Sequence, residues 1–591
     1  MSEAIEKAKD FLERDKAFRL GELLTESSHP KTRSLSQTIQ ADIAAGIRLL
    51  QSVDEDIPLA LDRIFAQEAF RRLVEAFGEA FSDGRRIYFT GCGATGRLSI
   101  LLDAAWRRFW RTAYAECPEL LHKAPGMQDR CFSVMAGGDY ALIKSVEGFE
   151  DYPNFGRYQL SEAGFGANDV VVAITEGGET PFVIGTAWQG LESGANVFFV
   201  YNNPTDVLCR HVERSRQVIE EPRIEKLDLA TGAMAITGST RMQAVTTELL
   251  VVGAALETAL VRWLHDLLPS SVSAKLALDV NSTDDYRRLF AKLLNQLSES
   301  QNVLSMARLT QFEEDMYRRA GLITYVADSS LLDVLTDTTE RSPTFMVPPF
   351  RKLGDMNSPV SWAFVKDPFR PTREAWNQML EREPRGLKWA PPVYKQLNAP
   401  TNLQTNPPKL DDAQIYRFQI GNEPDTSRTD ATDCALVMVA VGTEADSLSR
   451  AALDRLATGF RRTVAITIGP AVCPLDMGEH FHFRCDLPSS PLRLWEHLVV
   501  KLILNTISTA TMARMGRVVG NAMIWLSPSN KKLIDRGSRL ISQVTSCSYE
   551  YACQVLHQTM EEVARRPQQG EQFPSPVALA IERISAGEVR H

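Results

Sequence analysis

The chain has 591 residues, a mass of 65.9 kDa and a formal net charge of −9 at neutral pH, too long for one ordinary hydrophobic core, so about two to four domains are expected. A hydrophobic share of 44% with 24% charged residues is that of a globular protein, and a negative balance without a long basic run excludes a general nucleic-acid binder. The nine cysteines are scattered, with no CxxC pair and no close Cys/His spacing, which predicts no metal site and fits reduced thiols in a cytoplasm.

Residues 1–20 are too densely charged for a signal peptide, and the absence of an unbroken apolar run of about 18 residues predicts no membrane span. Residues 1–80 read as helical, with the acidic cluster Asp54–Asp56 suited to a helix start before Pro58. From 86 to 201, short apolar strands at 86–90, 131–136, 170–174 and 196–201 alternate with helical stretches, which predicts a parallel sheet covered on both faces.

The first strand runs into Gly91-Cys92-Gly93-Ala94-Thr95-Gly96-Arg97 and then a helix. Glycines permit the sharp turn, and the N–H groups of the helix start favour an anion. Thr95 adds a hydroxyl, Arg97 a cation, and Cys92 reads as a small buried residue. The same letters spell GxGxxG, with Glu116 about 20 residues beyond Gly96 where a ribose-binding acid would stand, so a dinucleotide site is the competing reading. The strand at 170–174 ends in Glu176-Gly177-Gly178-Glu179, with Thr180 placed to cap the next helix and Pro181 at its first position. Two such loops build a crevice at the ends of parallel strands. Thr237-Gly-Ser239-Thr240-Arg241-Met242 follows, whose hydroxyls and guanidinium suit a phosphorylated or polyhydroxy ligand. An apolar helix at 240–265 closes the domain.

The pattern recurs with strands at 322–326, 362–365, 435–440 and 463–468. The first of these ends in Ala327-Asp328-Ser329-Ser330, without glycines, so this domain is expected to lack the anion cradle. Eight prolines between 366 and 410 predict long irregular loops. His480 and His482 would share one face of a strand, as a metal pair can, but no third ligand is near in sequence. From 495 onward the chain reads as helices.

The three loops together resemble the sugar isomerase (SIS) fold, and within it the family of N-acetylmuramic acid 6-phosphate etherase and the glucokinase regulatory protein. Further stretches carry the resemblance: Thr25–Ser28, Asp54–Ala60, Ala136–Asp139, Val146–Asp151, Thr180–Gly185, Lys501–Thr509, Gly516–Asn521 and Ser529–Leu533. It implies an α/β protein of two tandem SIS domains, flavodoxin-like and doubly wound. The expected divisions are an N-terminal helical arm (1–50), a ligand-binding first domain (51–265), a degenerate second domain (266–500) with the proline-rich insertion, and a helical cap (501–591). Two domains in one chain are the architecture of the regulatory protein, and they mimic internally the dimer of single-domain relatives, so a monomer is expected.

The resemblance also implies site residues. Gly93, Thr95, Gly96, Arg97, Glu150, Thr180, Ser239, Thr240, Arg241 and Lys501 would bind ligand. The etherase uses two glutamates: one protonates the departing ether oxygen and the other abstracts a carbon-bound proton. Glu150 matches one. The other falls on Ala105, or on Trp106 with a one-residue shift, and neither transfers a proton. Glu176 and Glu179 stand where the family carries small, hydroxyl or arginine residues, and Gln243 replaces a cation. If both glutamates face the crevice, a phosphate about 4 Å away is repelled by about 4 kcal/mol at an effective dielectric of 20. The leading expectation is a phosphosugar sensor that regulates a partner protein such as a sugar kinase. The alternative is a carbon–oxygen lyase or isomerase acting on an amino-sugar phosphate such as N-acetylmuramic acid 6-phosphate, with Glu150 as base and Glu176 or Glu179 as acid. Neither reading needs a cofactor, a metal, nucleic acid or a membrane.

Overall fold

The computed structural model describes residues 3–146, 148–279, 282–566 and 574–587. Its two large sheets are each five-stranded and wholly parallel. The first contains β1 (Ile87–Gly91), β2 (Cys131–Met135), β3 (Val170–Thr175), β4 (Asn196–Tyr201) and β5 (Ile224–Asp228), in the order β2-β1-β3-β4-β5. The second contains β6 (Leu322–Val326), β7 (Ala363–Lys366), β8 (Cys434–Val441), β9 (Arg462–Gly469) and β10 (Glu479–Arg484), in the order β10-β9-β8-β6-β7. Numbered within its own domain the second order is the first reversed, so both are the doubly wound flavodoxin type.

The central strands β1, β3, β6 and β8 are buried along their whole length. Sheets covered on both faces demand such continuous apolar runs, and these are the strands that hydrophobicity locates. The sequence reading lacks β5 and β10. Both lie at sheet edges, where Ile-Glu-Lys-Leu-Asp and Glu-His-Phe-His-Phe-Arg interleave charge with apolar residues. On β10, His480 Nε2 and His482 Nδ1 both meet the hydroxyl of Thr467 on β9, at 2.7 and 3.0 Å, so the histidines share a face through a neighbouring threonine.

The proline-rich insertion is more ordered than its composition implies. It contains the helices Thr372–Leu380, Pro391–Gln396 and Thr401–Thr405, and it docks on the first domain. Trp389 stacks on Phe149 with ring centroids 5.8 Å apart and donates to Glu162 Oε2 at 2.5 Å. Arg382 and Arg385 each give a hydrogen bond to buried Asp103 Oδ2 at 3.1 Å, and Arg382 also pairs with Asp139 at 2.5 Å. Arg107 donates to the other oxygen of Asp103 at 2.7 Å.

The helix Gln243–His265 is long and apolar enough to cross a membrane, but 94% of its most apolar window is buried within the protein, between the first domain and the helix Leu494–Arg514. It is a core helix. Leu494–Arg514, nearly all buried, crosses the expected boundary at 500/501 and packs against both domains. The helix Glu3–Arg14 packs on the helix Tyr549–Arg565, with Phe11 and His557 ring centroids 6.2 Å apart.

The guanidinium groups of Arg385, Arg382 and Arg107 keep the Asp103 carboxylate ionised despite its burial. Removing that charge leaves Arg385 without a carboxylate and leaves Arg382 and Arg107 with one each, Asp139 and Asp129. Asp103→Asn is therefore expected to cost about 3–5 kcal/mol in equilibrium denaturation, and a loss below about 1 kcal/mol would show that the insertion does not depend on this pairing.

Candidate functional site

The loops after β1 and β3 lie at the point where the strand order reverses, so their ends diverge and leave a crevice. The crevice is roofed by the helix Lys531–Thr545 and walled on one side by the second-domain helix Leu331–Phe345, which together enclose a cavity of about 210 Å³. Gly93 and Ala94 bring the start of the 24-residue helix Gly93–Glu116 to it. Gly93 has φ of +53°, where a side chain would strain the backbone, and it leaves the entry to the helix bare.

Of the residues expected from sequence, Gly93, Arg97, Glu150, Glu176, Thr180, Ser239, Thr240 and Arg241 line this one cavity. Four do not. Thr95 is 1% exposed, and its hydroxyl accepts from Cys92 N at 3.0 Å while donating to Cys92 O at 2.9 Å, so it caps its own helix. Gly96 serves packing, since a Cβ there would lie 2.5 Å from Met135 Cγ. Lys501 donates to Arg241 O and, at 2.6 Å, to Asn505 Oδ1, which turns it into a small adjoining cavity; burial lowers its pKa to about 8. Glu179 is 1% exposed and held between Arg214 Nη2 at 2.5 Å and Lys532 Nζ at 2.7 Å.

The cavity thus contains Glu150 and Glu176 without Glu179. Glu150 accepts from Asn530 Nδ2, and Glu176 accepts from Thr240 Oγ1 at 3.2 Å. Burial raises the pKa of both, opposed chiefly by the Lys532 ammonium. Glu179 goes the other way: Lys532 and Arg214 outweigh its burial and hold it at about 2. Two carboxyls whose pKa is raised therefore face the cavity, and a third, paired with two cations, does not line it.

The sequence reading lacked the cations Lys532 and Arg536, together with Ser529 and Asn530, all of which reach the cavity from the cap. The stretch Ser529–Leu533 carried the only signal for Ser529, Asn530 and Lys532, through its resemblance, and Arg536 lies beyond it. Glu340 and Thr344 arrive from the second domain, and no motif marks them because domain docking alone brings them there. Glu147, in the Val146–Asp151 stretch, lies outside the described residues.

A dinucleotide does not fit this geometry. Glu116 is the last residue of the helix that starts at Gly93, about 35 Å along it at about 1.5 Å per residue, too far to touch a ribose near the glycine loop. No cluster of His, Cys, Asp or Glu suited to a metal occurs among the described residues.

At the equivalent place in the second sheet the chain supplies its own anion. Glu444 accepts from Val441 N at 2.9 Å and Ser329 N at 3.3 Å, bridging the ends of β8 and β6. Burial raises its pKa, and these hydrogen bonds oppose the rise.

The roof is fixed by charge. Glu26, 3% exposed, receives Arg536 Nη2 at 2.6 Å and Arg539 Nη2 at 2.7 Å, which keep it ionised down to about 2. Glu26 and Glu179 both have folded-state pKa values below the ordinary 4.5. Their contribution to stability is therefore fully present above the ordinary value and is lost as pH falls toward about 2. Thermal melts are expected to show a falling midpoint across this window in the wild type, and a shallower fall in Glu26→Gln; equal slopes would exclude the carboxylate as the anchor of the cap.

A family model described as the glucokinase regulatory protein N-terminal SIS domain matches residues 70–189. The N-acetylmuramic acid 6-phosphate etherase of Glaesserella parasuis is 30% identical over 239 residues, covering 40% of this chain and 69% of that protein. The enzyme of the same name from Aeromonas hydrophila is 28% identical over 265 residues, 45% of this chain and 77% of that protein. Two similar etherases from Actinobacillus pleuropneumoniae are each matched over 66% of their length, slightly under two thirds. Among solved structures, the C-terminal domain of glucosamine-fructose-6-phosphate aminotransferase from Francisella tularensis aligns with a TM-score of 0.41 at 12% identity, over 79% of this chain and 94% of that one.

Proposed function

Because the chain belongs to the SIS family of N-acetylmuramic acid 6-phosphate etherase and the glucokinase regulatory protein, we propose that it binds an amino-sugar phosphate in the enclosed cavity and acts on it by acid–base chemistry, as a carbon–oxygen lyase or isomerase. The observation that carries this reading is that Glu150 and Glu176 line the same cavity, each with its pKa raised by burial. A raised carboxyl pKa brings proton donor and acceptor forms closer to balance near neutrality, as general acid–base catalysis requires.

Glu150 is assigned as the base that removes a carbon-bound proton beside a carbonyl, oriented by Asn530. Glu176, fixed by Thr240, is assigned as the acid that protonates the departing oxygen. It would supply the proton that Ala105 cannot, since Ala105 is buried in the helix Gly93–Glu116 and does not line the cavity. Glu179 has no part in proton transfer, because a carboxylate locked between two cations cannot accept or release a proton near neutrality.

Ala105 itself favours a second reading, a sensor that binds the same ligand without turnover and passes its conformation to a partner such as a sugar kinase. The enclosure of the cavity by both domains and the cap is compatible with that role.

Overnight ¹H and ³¹P NMR of the protein with N-acetylmuramic acid 6-phosphate separates the two. The enzyme reading expects lactate to appear, with Glu150→Gln and Glu176→Gln each slowing its release by about 10²–10⁴-fold. Line broadening without lactate would leave the sensor. Lactate release unchanged in both variants would remove these carboxyls from the reaction.

A further inference from the structure

Arg97, near the start of the helix Gly93–Glu116, and Arg241, in the turn before the helix Gln243–His265, both reach the second-domain helix Leu331–Phe345. Arg97 is 2% exposed and makes no ion pair among the described residues; its one described side-chain hydrogen bond is from Nε to Thr339 Oγ1 at 3.4 Å, and its Nη2 has no partner. Arg241, 3% exposed, gives Nη2 to Asp337 Oδ1 at 2.5 Å and to Ser508 Oγ at 2.9 Å, with Glu340 3.4 Å from its Nε, while its Nη1 has no hydrogen-bond partner. Both line the cavity.

A buried guanidinium without a counter-ion is costly and is normally neutralised by an anion. The other cavity cations already have one: Lys532 is taken by Glu179 and Arg536 by Glu26. Asp337 is shared with Arg341, at 2.7 Å, so even the charge opposing Arg241 is divided. Among the described residues Glu150 and Glu176 make no ion pair at all, although they line the same cavity. The cavity cation with no ion pair among the described residues is therefore Arg97, Arg241 adds an Nη1 without a hydrogen-bond partner although Asp337 and Glu340 face its other nitrogens, and the carboxyls without an ion pair stand at Glu150 and on the β3 loop at Glu176.

Resting on the phosphosugar reading above, we propose that the phosphate of the ligand seats on Arg97 and Arg241, against the Leu331–Phe345 helix, and not on the Gly177–Thr180 turn. The sugar then turns its hydroxyl or amide donors toward Glu150 and Glu176, which accept them. Glu176 would repel a phosphate on the turn, whereas the fork of N–H groups on each arginine matches a phosphate in shape as well as charge. In this pose the ligand ties the first domain to the second.

The test is calorimetric titration of the full chain with three probes: N-acetylglucosamine 6-phosphate, N-acetylglucosamine, and N-acetylmuramic acid, which carries a carboxylate and no phosphate. Arg97→Gln is expected to weaken the phosphorylated probe by at least about tenfold and to change the uncharged one by less than about twofold. In parallel, ¹⁵N-arginine spectra of the wild type, which do not depend on a variant folding, are expected to show one Arg Nε–H signal moving with the phosphorylated probe and not with the uncharged one. An unmoved arginine spectrum, or Arg97→Gln without effect while Glu176→Gln tightens the phosphorylated probe about tenfold, would return the phosphate to the turn and overturn the seat. If Arg97→Gln weakens only N-acetylmuramic acid, the seat is for a carboxylate and the phosphate assignment falls. Failure of the wild type to bind any phosphorylated sugar would overturn the broader reading and this seat together.

Discussion

Two buried carboxylates far apart in the chain, Glu26 and Glu179, hold the roof of the cavity in place. They meet Lys532, Arg536 and Arg539 on one helix, the first from the N-terminal segment and the second from the loop after β3. None of these charges could be buried alone, since each would forfeit hydration worth several kcal/mol with nothing in return. The helix Lys531–Thr545 is thereby fixed over the crevice, and Asn530, just before it, reaches Glu150. The role of Glu179 follows directly. A carboxylate on a ligand-facing loop would ordinarily be read as part of the chemistry, but here it is the counter-ion that lets a lysine enter the site.

The two sheets share one topology and have met different fates at the same place in it. In the first, the turn after β1 presents a glycine in the left-handed region and the start of a long helix. In the second, the corresponding loops are bridged by Glu444, so backbone donors that could meet an external anion meet an internal one. The second domain contributes to the first domain's cavity instead, through Glu340 and Thr344 on its Leu331–Phe345 helix. One cavity is thus built from three parts of the chain, and its charge pattern depends on their relative placement.

That placement is itself secured by buried charge at a second point. Asp103 and Asp139 lie on the first domain and accept Arg382 and Arg385 from the proline-rich insertion, so a segment whose composition suggests loose connection is a clamp. The aromatic cluster of Phe149, Phe155, Trp389 and Tyr394 adds apolar burial beside it.

The sequence by itself determined the parallel sheets, because strands buried on both faces must be continuous apolar runs, and it determined the glycine loops, because only glycine permits their turns. From these came the location of the crevice and the resemblance that named Glu150, Arg97, Ser239, Thr240 and Arg241. It did not reveal the edge strands β5 and β10, whose interleaved charges imitate loops. Nor did it reveal which charged residues of the site are free. Glu176 and Glu179 are three residues apart and read alike, yet one faces the cavity and the other is neutralised beneath it. Lys501 and Lys532 are both helix lysines, yet only Lys532 enters the main cavity. Pairing of buried charges is decided by contacts hundreds of residues apart, between arm, domains and cap, and local sequence carries no record of those distances.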